Sequence, residues 1–305
     1  MMRRIFPLLA FLPLAAVTVA GQESASGPPK VLALSREDIK PGKMAPHEKV
    51  AAGFVSAISR TPATSYRIGL VPLSGDENVV MYVEGFDSFA DVEATRKQID
   101  EAVATNAAFK NEMEQLDKQG AEMHASQRTA FYMLRPDMSF RPRALKDVPH
   151  ARYVSISTTR IKPGRGPDYV DYVKGLNAAR EKANSEAHTA VYQVVTGAPT
   201  GTFITMTAIS SLKQWDDDLA KMDANQKAIN AALGGEDVIK QRRMLISEIV
   251  ADGVSTLYAI NPTISRPTQE VVAADPEFWK SRTQVAATKA ASTKATTAKK
   301  ENPKQ

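Results

Sequence analysis

Apolar and polar residues along this chain fall into one pattern written twice. Val31 to Ile39 has the apolar content of a strand and stops at Pro41-Gly42. Pro46 suits a first helical turn, and Val50, Phe54, Val55 and Ile58 follow at helical spacing, which predicts an amphipathic helix over residues 46–60. Two β-rich runs come next, Ser65–Leu73 and Asn78–Glu84, with a turn at Ser74-Gly75-Asp76-Glu77. Asp87-Ser88 can cap a helix carrying Phe89, Val92, Ile99 and Val103, continued by Phe109, Met113 and Leu116. Arg128 to Leu134 is a strand ending at Pro136.

The second copy repeats the order. Arg152–Ile161 is a strand, Tyr169, Val173 and Leu176 mark a helix, and Ala190–Val195 and Thr202–Ile209 form a hairpin around Gly197 to Gly201. Ser210 or Ser211 caps a helix with Leu212, Trp215, Leu219 and Met222, a stripe expected to face the core. A broken helical stretch runs to about Ile246, and Val254–Ile260 is the last strand. Four landmarks hold the copies in step. Ile39-Lys40-Pro41-Gly42 recurs as Ile161-Lys162-Pro163-Gly164, and Ser88-Phe89 as Ser211-Leu212. Tyr132-x-Leu134-x-Pro136 recurs as Tyr258-x-Ile260-x-Pro262, and Arg141-Pro142 as Arg266-Pro267.

A β-α-β-β-α-β unit has the ferredoxin-like layout, a four-stranded sheet with helices on one face only. The bare face must be covered, and the bare face of the other copy is the nearest cover. The expected fold class is therefore α+β, two ferredoxin-like repeats packed sheet to sheet as an intrachain barrel with helices outside. On this element order, the duplication and the Ile-Lys-Pro-Gly strand end, residues 30–267 resemble the dimeric α+β barrel superfamily, including antibiotic-biosynthesis monooxygenase-like and NIPSNAP-like proteins. In that superfamily two chains usually pair; here tandem copies would form the pair. The resemblance implies three kinds of protein: cofactor-free monooxygenases, haem-binding or haem-degrading proteins, and proteins without known chemistry.

Charge and composition add a compartment. The formal charge of +5 is concentrated at the ends, in Arg3-Arg4 and in five lysines after Thr283, so the folded part is nearly neutral and nucleic acid is not its expected partner. Arg3-Arg4 followed by the apolar run Ile5–Val19 and small residues at Thr18-Val19-Ala20 predicts a signal peptide over 1–20, too short to span a membrane. The expected product is exported, periplasmic or secreted, with no membrane span, and a monomer or small homo-oligomer. With no cysteine, disulfides, thiolate metal sites and a cysteine nucleophile are excluded together. The expected organisation is a leader at 21–29, repeat one at 30–140, a linker at 141–150, repeat two at 151–267, and a mostly disordered tail at 268–305 in which Phe278 and Trp279 dock a short helix.

Candidate chemistry follows from strand faces. If Val154 and Ile156 meet the helices, then Tyr153, Ser155 and Ser157 face the barrel, with Ala33, Ser35 and Glu37 in the matching places. Tyr82 and Glu84 on a third strand, and Tyr132 and Tyr258 on the last strands, complete a polar lining. Glu37, Tyr82, Glu84, Tyr132, Tyr153 and Tyr258 are thus the candidate residues for a small, partly apolar ligand between the sheets. Alternatively they pair with one another, and a one-residue slip would exchange the faces. The histidines at 47, 124, 150 and 188 are far apart in sequence and form no His-x-x-x-His or His-x-His pair, so no metal site is expected. No cofactor is expected either, with haem on an axial His124 as the exception. Asp216-Asp217-Asp218 cannot converge on one ion from a helix and suits its solvated first turn. Three functions remain open: a ligand-binding barrel, a cofactor-independent monooxygenase-like oxidoreductase, or a haem-binding protein.

Overall fold

The computed structural model describes residues 27–63, 65–143 and 149–279. The first half consists of β1 (Val31–Ile39), α1 (Met44–Ile58), β2 (Tyr66–Pro72), β3 (Val79–Phe86), α2 (Phe89–Thr105), α3 (Ala107–Met123) and β4 (His124–Leu134). The second consists of β5 (Tyr153–Ile161), α4 (Gly166–Lys182), β6 (Ala190–Thr196), β7 (Thr202–Ile209), α5 (Leu212–Ala220), α6 (Met222–Leu233), α7 (Glu236–Ile249) and β8 (Val250–Arg266). Both halves are the β-α-β-β-α-β unit the pattern predicts, with the second helical layer broken into two or three pieces.

The strands close into a barrel in the order β1-β3-β2-β8-β5-β7-β6-β4. Each half contributes a four-stranded antiparallel sheet with its first strand inside and its second and fourth strands at the edges. Edge β2 pairs with β8, and edge β4 with β6. Closure satisfies the backbone groups that two separate sheets would leave exposed, so each half needs the other for its edges as well as for its apolar face.

The face assignment is reversed from expectation. Leu32 and Leu34 share the buried interior cluster with Val154, Ile156, Ile204 and Leu70, so the apolar face of β1 and β5 points into the barrel. Glu37, Tyr82 and Glu84 alternate to the outer face, under the helices, and Tyr153 lies on the outer face of the second sheet. The reason is convergence. Eight inner faces meet in one interior and select the larger aliphatic side chains, each worth about 1.5–3 kcal/mol when buried, whereas the helices stand off the first sheet and leave room for polar groups. Tyr132 and Tyr258 do lie inside, where burial raises their phenol pKa values.

Turn chemistry is the same in both halves. Gly42 (φ +75°) and Gly164 (φ +79°) take the left-handed conformation that ends each Ile-Lys-Pro-Gly stretch and starts α1 or α4. Ser88 caps α2 by accepting from the Asp91 N–H, and Ser211 caps α5 by accepting from that of Gln214, each worth about 1 kcal/mol. One expectation needs correction: Leu212, Leu219 and Met222 are exposed rather than core residues. Residues 269–279 form α8 (Gln269–Ala274) and α9 (Pro276–Trp279), where the sequence predicts that Phe278 and Trp279 dock a short helix. Val271 and Trp279 from these helices join the interior cluster, and the Trp279 indole N–H donates to the Pro149 carbonyl. The predicted signal peptide and lysine-rich end lie outside the described residues. Among the described residues no helix is long and apolar enough to cross a membrane.

Candidate functional site

The site sits where β1 hands over to α1. Glu37, near the end of β1, is 5 % exposed, and His47, in the first turn of α1, is 3 % exposed. The Pro-Gly turn folds these ten residues back so that His47 Nε2 lies 2.8 Å from Glu37 Oε2. The third residue arrives from the α3–β4 junction, which the backbone ties to the same turn: Lys40 N–H donates to the Met123 carbonyl at 2.8 Å. There the β1–β4 register slips, Asp38 pairing with Ser126 but Ile39 with His124, so Ala125 is an extra residue in β4. This bulge turns His124 onto the face that carries Glu37. His124 Nε2 comes within 3.4 Å of Glu37 Oε2, and the two imidazole rings lie 5.2 Å apart.

The carboxylate is divided between two sets of partners. Oε2 faces the histidines, while Oε1 accepts from Gln127 Nε2 at 3.1 Å and has the Arg67 guanidinium 4.0 Å away. Arg67 also pairs with Glu84 at 3.1 Å and lies over the Tyr82 ring, 3.8 Å from its centre. Burial first, then the negative charge of Glu37, pushes the Tyr82 phenol well above its ordinary pKa, so it stays protonated. His124 Nε2 is buried, and its approach to Glu37 is not aligned for a hydrogen bond, so it has no hydrogen-bond partner.

These groups border a cavity of about 440 Å³ between the first sheet and its helices. Ala33, Val50, Phe54, Ile99 and Phe131 give it apolar walls, and Ser35, Thr129, Arg67 and Glu84 add polar ones. A second cavity, of about 760 Å³, opens from a barrel mouth between the sheets. Leu32, Leu70, Val154 and Met206 line it, and Arg141 and Arg143 border it. Of the residues predicted to carry function, Glu37, Tyr82, Glu84 and His124 come together, though outside the barrel rather than within it. Tyr132 and Tyr258 stay in the interior and Tyr153 on the far sheet. His47, Gln127 and Arg67 complete the cluster. The expectation that no two histidines meet is corrected: the Pro-Gly turn and the bulge bring together residues 77 positions apart. The ten-residue spacing across a recognised strand–turn–helix was the available signal for His47; the bulge that aims His124 had none.

No family model and no curated protein matches the chain by sequence. Solved structures do match. An anthrone oxidase-like protein aligns over 76% of this chain and 91% of its own, at 12% identity and TM-score 0.46. Chlorite dismutase from Candidatus Nitrospira defluvii, solved with imidazole, aligns over 81% and 95%, at 9% identity and TM-score 0.43. A NIPSNAP domain protein from Burkholderia xenovorans aligns over 33% and 90%, at 16% identity and TM-score 0.26. Such likenesses carry no functional argument. The fold rests on the chain's own strand order, a closed α+β barrel of two ferredoxin-like halves.

Proposed function

We propose that this is an exported protein that binds a small, partly apolar molecule in the helix-side cavity of its first half and exchanges a proton with it through His47 and Glu37. One observation carries the reading: a carboxylate and an imidazole, both almost fully buried, are bonded to each other at the edge of a cavity. Burying such groups is costly, and packing does not require them, because the second half builds the same corner with Thr159 and Tyr169. A carboxylate that fixes an imidazole beside an apolar space is an arrangement for general acid–base work. The apolar walls suit the body of the ligand, and Arg67 suits a developing negative charge. Export rests on the basic start and apolar run of residues 1–20.

In its enzymatic form the reading is a cofactor-independent monooxygenase-like oxidoreductase, with the dyad removing a proton from an activated substrate that then reacts with dioxygen. Oxygen uptake with quinol-type substrates, lost in Glu37→Gln, would support it; uptake unaffected by that change would sink it. Haem fits less well. His124 Nε2 faces a carboxylate and a second imidazole, where an axial ligand needs open, flat, apolar space.

The barrel-mouth cavity is the second reading, favoured by its larger volume and apolar lining. Blocking substitutions separate the two. Ser35→Trp fills the helix-side space and Met206→Trp the mouth. Binding of a panel of small phenols and aromatic acids, followed by thermal shift, should vanish in the first variant and persist in the second. The reverse result assigns the ligand to the inter-sheet space.

A further inference from the structure

Resting on the reading that the helix-side cavity is the working site, we propose that Glu37, His47 and His124 form a binding site for a divalent transition-metal ion. The ligands would be the two imidazole Nε2 atoms and the Oε2 atom of the carboxylate.

Three observations converge. First, the three ligand atoms already lie within 4.8 Å of one another. Ligand atoms bound at about 2.1 Å to a shared ion sit roughly 3.0–3.4 Å apart in tetrahedral or octahedral geometry. The two carboxylate–imidazole separations are 2.8 and 3.4 Å. Those two edges need shifts of only a few tenths of an ångström, and the two imidazole nitrogens, within 4.8 Å of each other, would close on the ion by side-chain rotation.

Second, without an ion the cluster is one bond short. Glu37 Oε2 satisfies His47, but His124 Nε2 is buried and has no hydrogen-bond partner. A buried nitrogen left in that state costs free energy and calls for an occupant. An ion takes that lone pair and, once the His47 Nε2 proton has moved to Nδ1 or been released to solvent, the one exposed on His47.

Third, the surroundings are those of a prepared ligand set. Gln127 donates to Oε1 and Arg67 stands beside it, which leaves Oε2 as the oxygen offered to the histidines. The cluster borders the cavity, so positions not taken by protein would open toward the ligand space. Two imidazoles and one carboxylate with open positions is a donor set for zinc or ferrous iron, and the chain has no thiolate to favour softer ions. Loaded in this way, the corner would polarise the head of a bound molecule and make its proton easier to lose, while direct exchange through His47 and Glu37 belongs to the ion-free form.

Chelator-stripped full-length protein titrated with Zn2+ by calorimetry, and with Co2+ by visible absorption, tests the site. One ion per chain is expected, with a Zn2+-dependent rise in melting temperature. His124→Ala should weaken binding about 100-fold and abolish that rise, while the melting temperature of the ion-free protein stays close to wild type. Glu37→Gln should also lose binding, and His188→Ala should leave it unchanged. If His124→Ala does not fold, the Co2+ spectrum of wild type still decides, since it must report imidazole nitrogen ligands. No ion on wild type, or equal affinity in folded His124→Ala, overturns the proposal. Wild type that binds the phenol panel but no ion sinks the metal site alone; wild type that binds the ion but no panel member sinks the cavity reading and spares the metal site.

Discussion

The two halves share a scaffold but not a chemistry. Strand register places Thr159 where the first half has Glu37, Gly253 at Gln127, Thr205 at Tyr82 and Val250 at His124. Tyr169 stands at the helix position of His47 and hydrogen-bonds Thr159. Even the bulge is duplicated, since β5 and β8 slip register between Arg160 and Ile161 as β1 and β4 do between Asp38 and Ile39. The second half keeps a smaller space there, about 300 Å³, lined by Met138, Tyr172, Val173 and Val191. A turn, a bulge and a helix start therefore build the corner whatever occupies it, and the buried charges of the first half are additions that the fold does not need.

If the halves are equivalent as scaffolds, equivalent interior substitutions should cost the same. Leu34 and Ile156 occupy matching inward positions and are 7 % and 4 % exposed. Leu34→Ala and Ile156→Ala should each destabilise by about 3 kcal/mol, measured as a shift in urea midpoint at constant slope. Costs differing by more than about 1.5 kcal/mol would break the equivalence and mark one sheet as dominant in the core.

The corner itself should behave asymmetrically. Glu37→Ala leaves the His47 nitrogen buried without its partner and should cost about 2–3 kcal/mol. Thr159→Ala removes one neutral hydrogen bond to Tyr169 and should cost about 1 kcal/mol. Both are read in chelator-treated protein, so that no ion contributes. Equal costs would mean that the first corner is ordinary packing, and the case for its chemistry would weaken.

Much of this was legible in the chain and some was not, for identifiable reasons. Element order and the repeat could be read because helix and strand periods differ and because Ile-Lys-Pro-Gly dictates the same turn twice. The outer-face residues Glu37, Tyr82 and Glu84 could be grouped by alternation, which fixes who shares a face. Alternation does not say which face is inside. That choice depends on how tightly each side is covered, a property of the closed barrel rather than of any strand. The meeting of His124 with Glu37 was out of reach for a narrower reason: a single extra residue, Ala125, decides where His124 points. The exposure of Leu212, Leu219 and Met222 was equally hidden, since helical spacing shows an apolar stripe but not whether anything lies against it.

The hairpin turns offer a milder contrast between the halves. Gly75 (φ +88°), between β2 and β3, has only the Thr256 side chain within reach of an added Cβ, at 3.8 Å. Gly197 (φ +85°), after β6, would place a Cβ 2.3 Å from the Thr129 carbonyl oxygen and 2.7 Å from the Ala130 Cα. Both positions disfavour alanine through φ, but only the second also drives backbone apart, and it does so beside the β4–β6 seam that closes the barrel. Gly197→Ala should cost about 2 kcal/mol and Gly75→Ala about 1 kcal/mol. If the Gly75 variant proves the weaker protein, the β2–β8 seam is the less tolerant of the two.

The smallest expected effect concerns acid. Asp137, just after β4, accepts from Arg135, and Lys174 of α4 lies 3.1 Å away. The Arg135 bond first, and the Lys174 bond after it, hold its carboxyl down to about 2 despite partial burial. Arg135 also donates to Gln193 of β6, so the cluster ties the end of β4 to both β6 and α4. A carboxylate with a lowered folded pKa contributes stability that is present above its ordinary pKa near 4 and lost as pH falls toward 2. Asp137 is 37 % exposed, so solvent screening keeps that contribution under about 1 kcal/mol. Urea midpoints at pH 5, 3 and 2 should therefore fall slightly less steeply for Asp137→Asn than for wild type. A matching decline would place the acid sensitivity elsewhere, with Asp38 the next candidate, since its hydrogen bond from Ser126 also lowers its pKa. Asp38 is confined to the first half, because Arg160 stands at its place in the second. Acid loss routed through Asp38 would then loosen the strand that carries Glu37 while leaving β5 untouched.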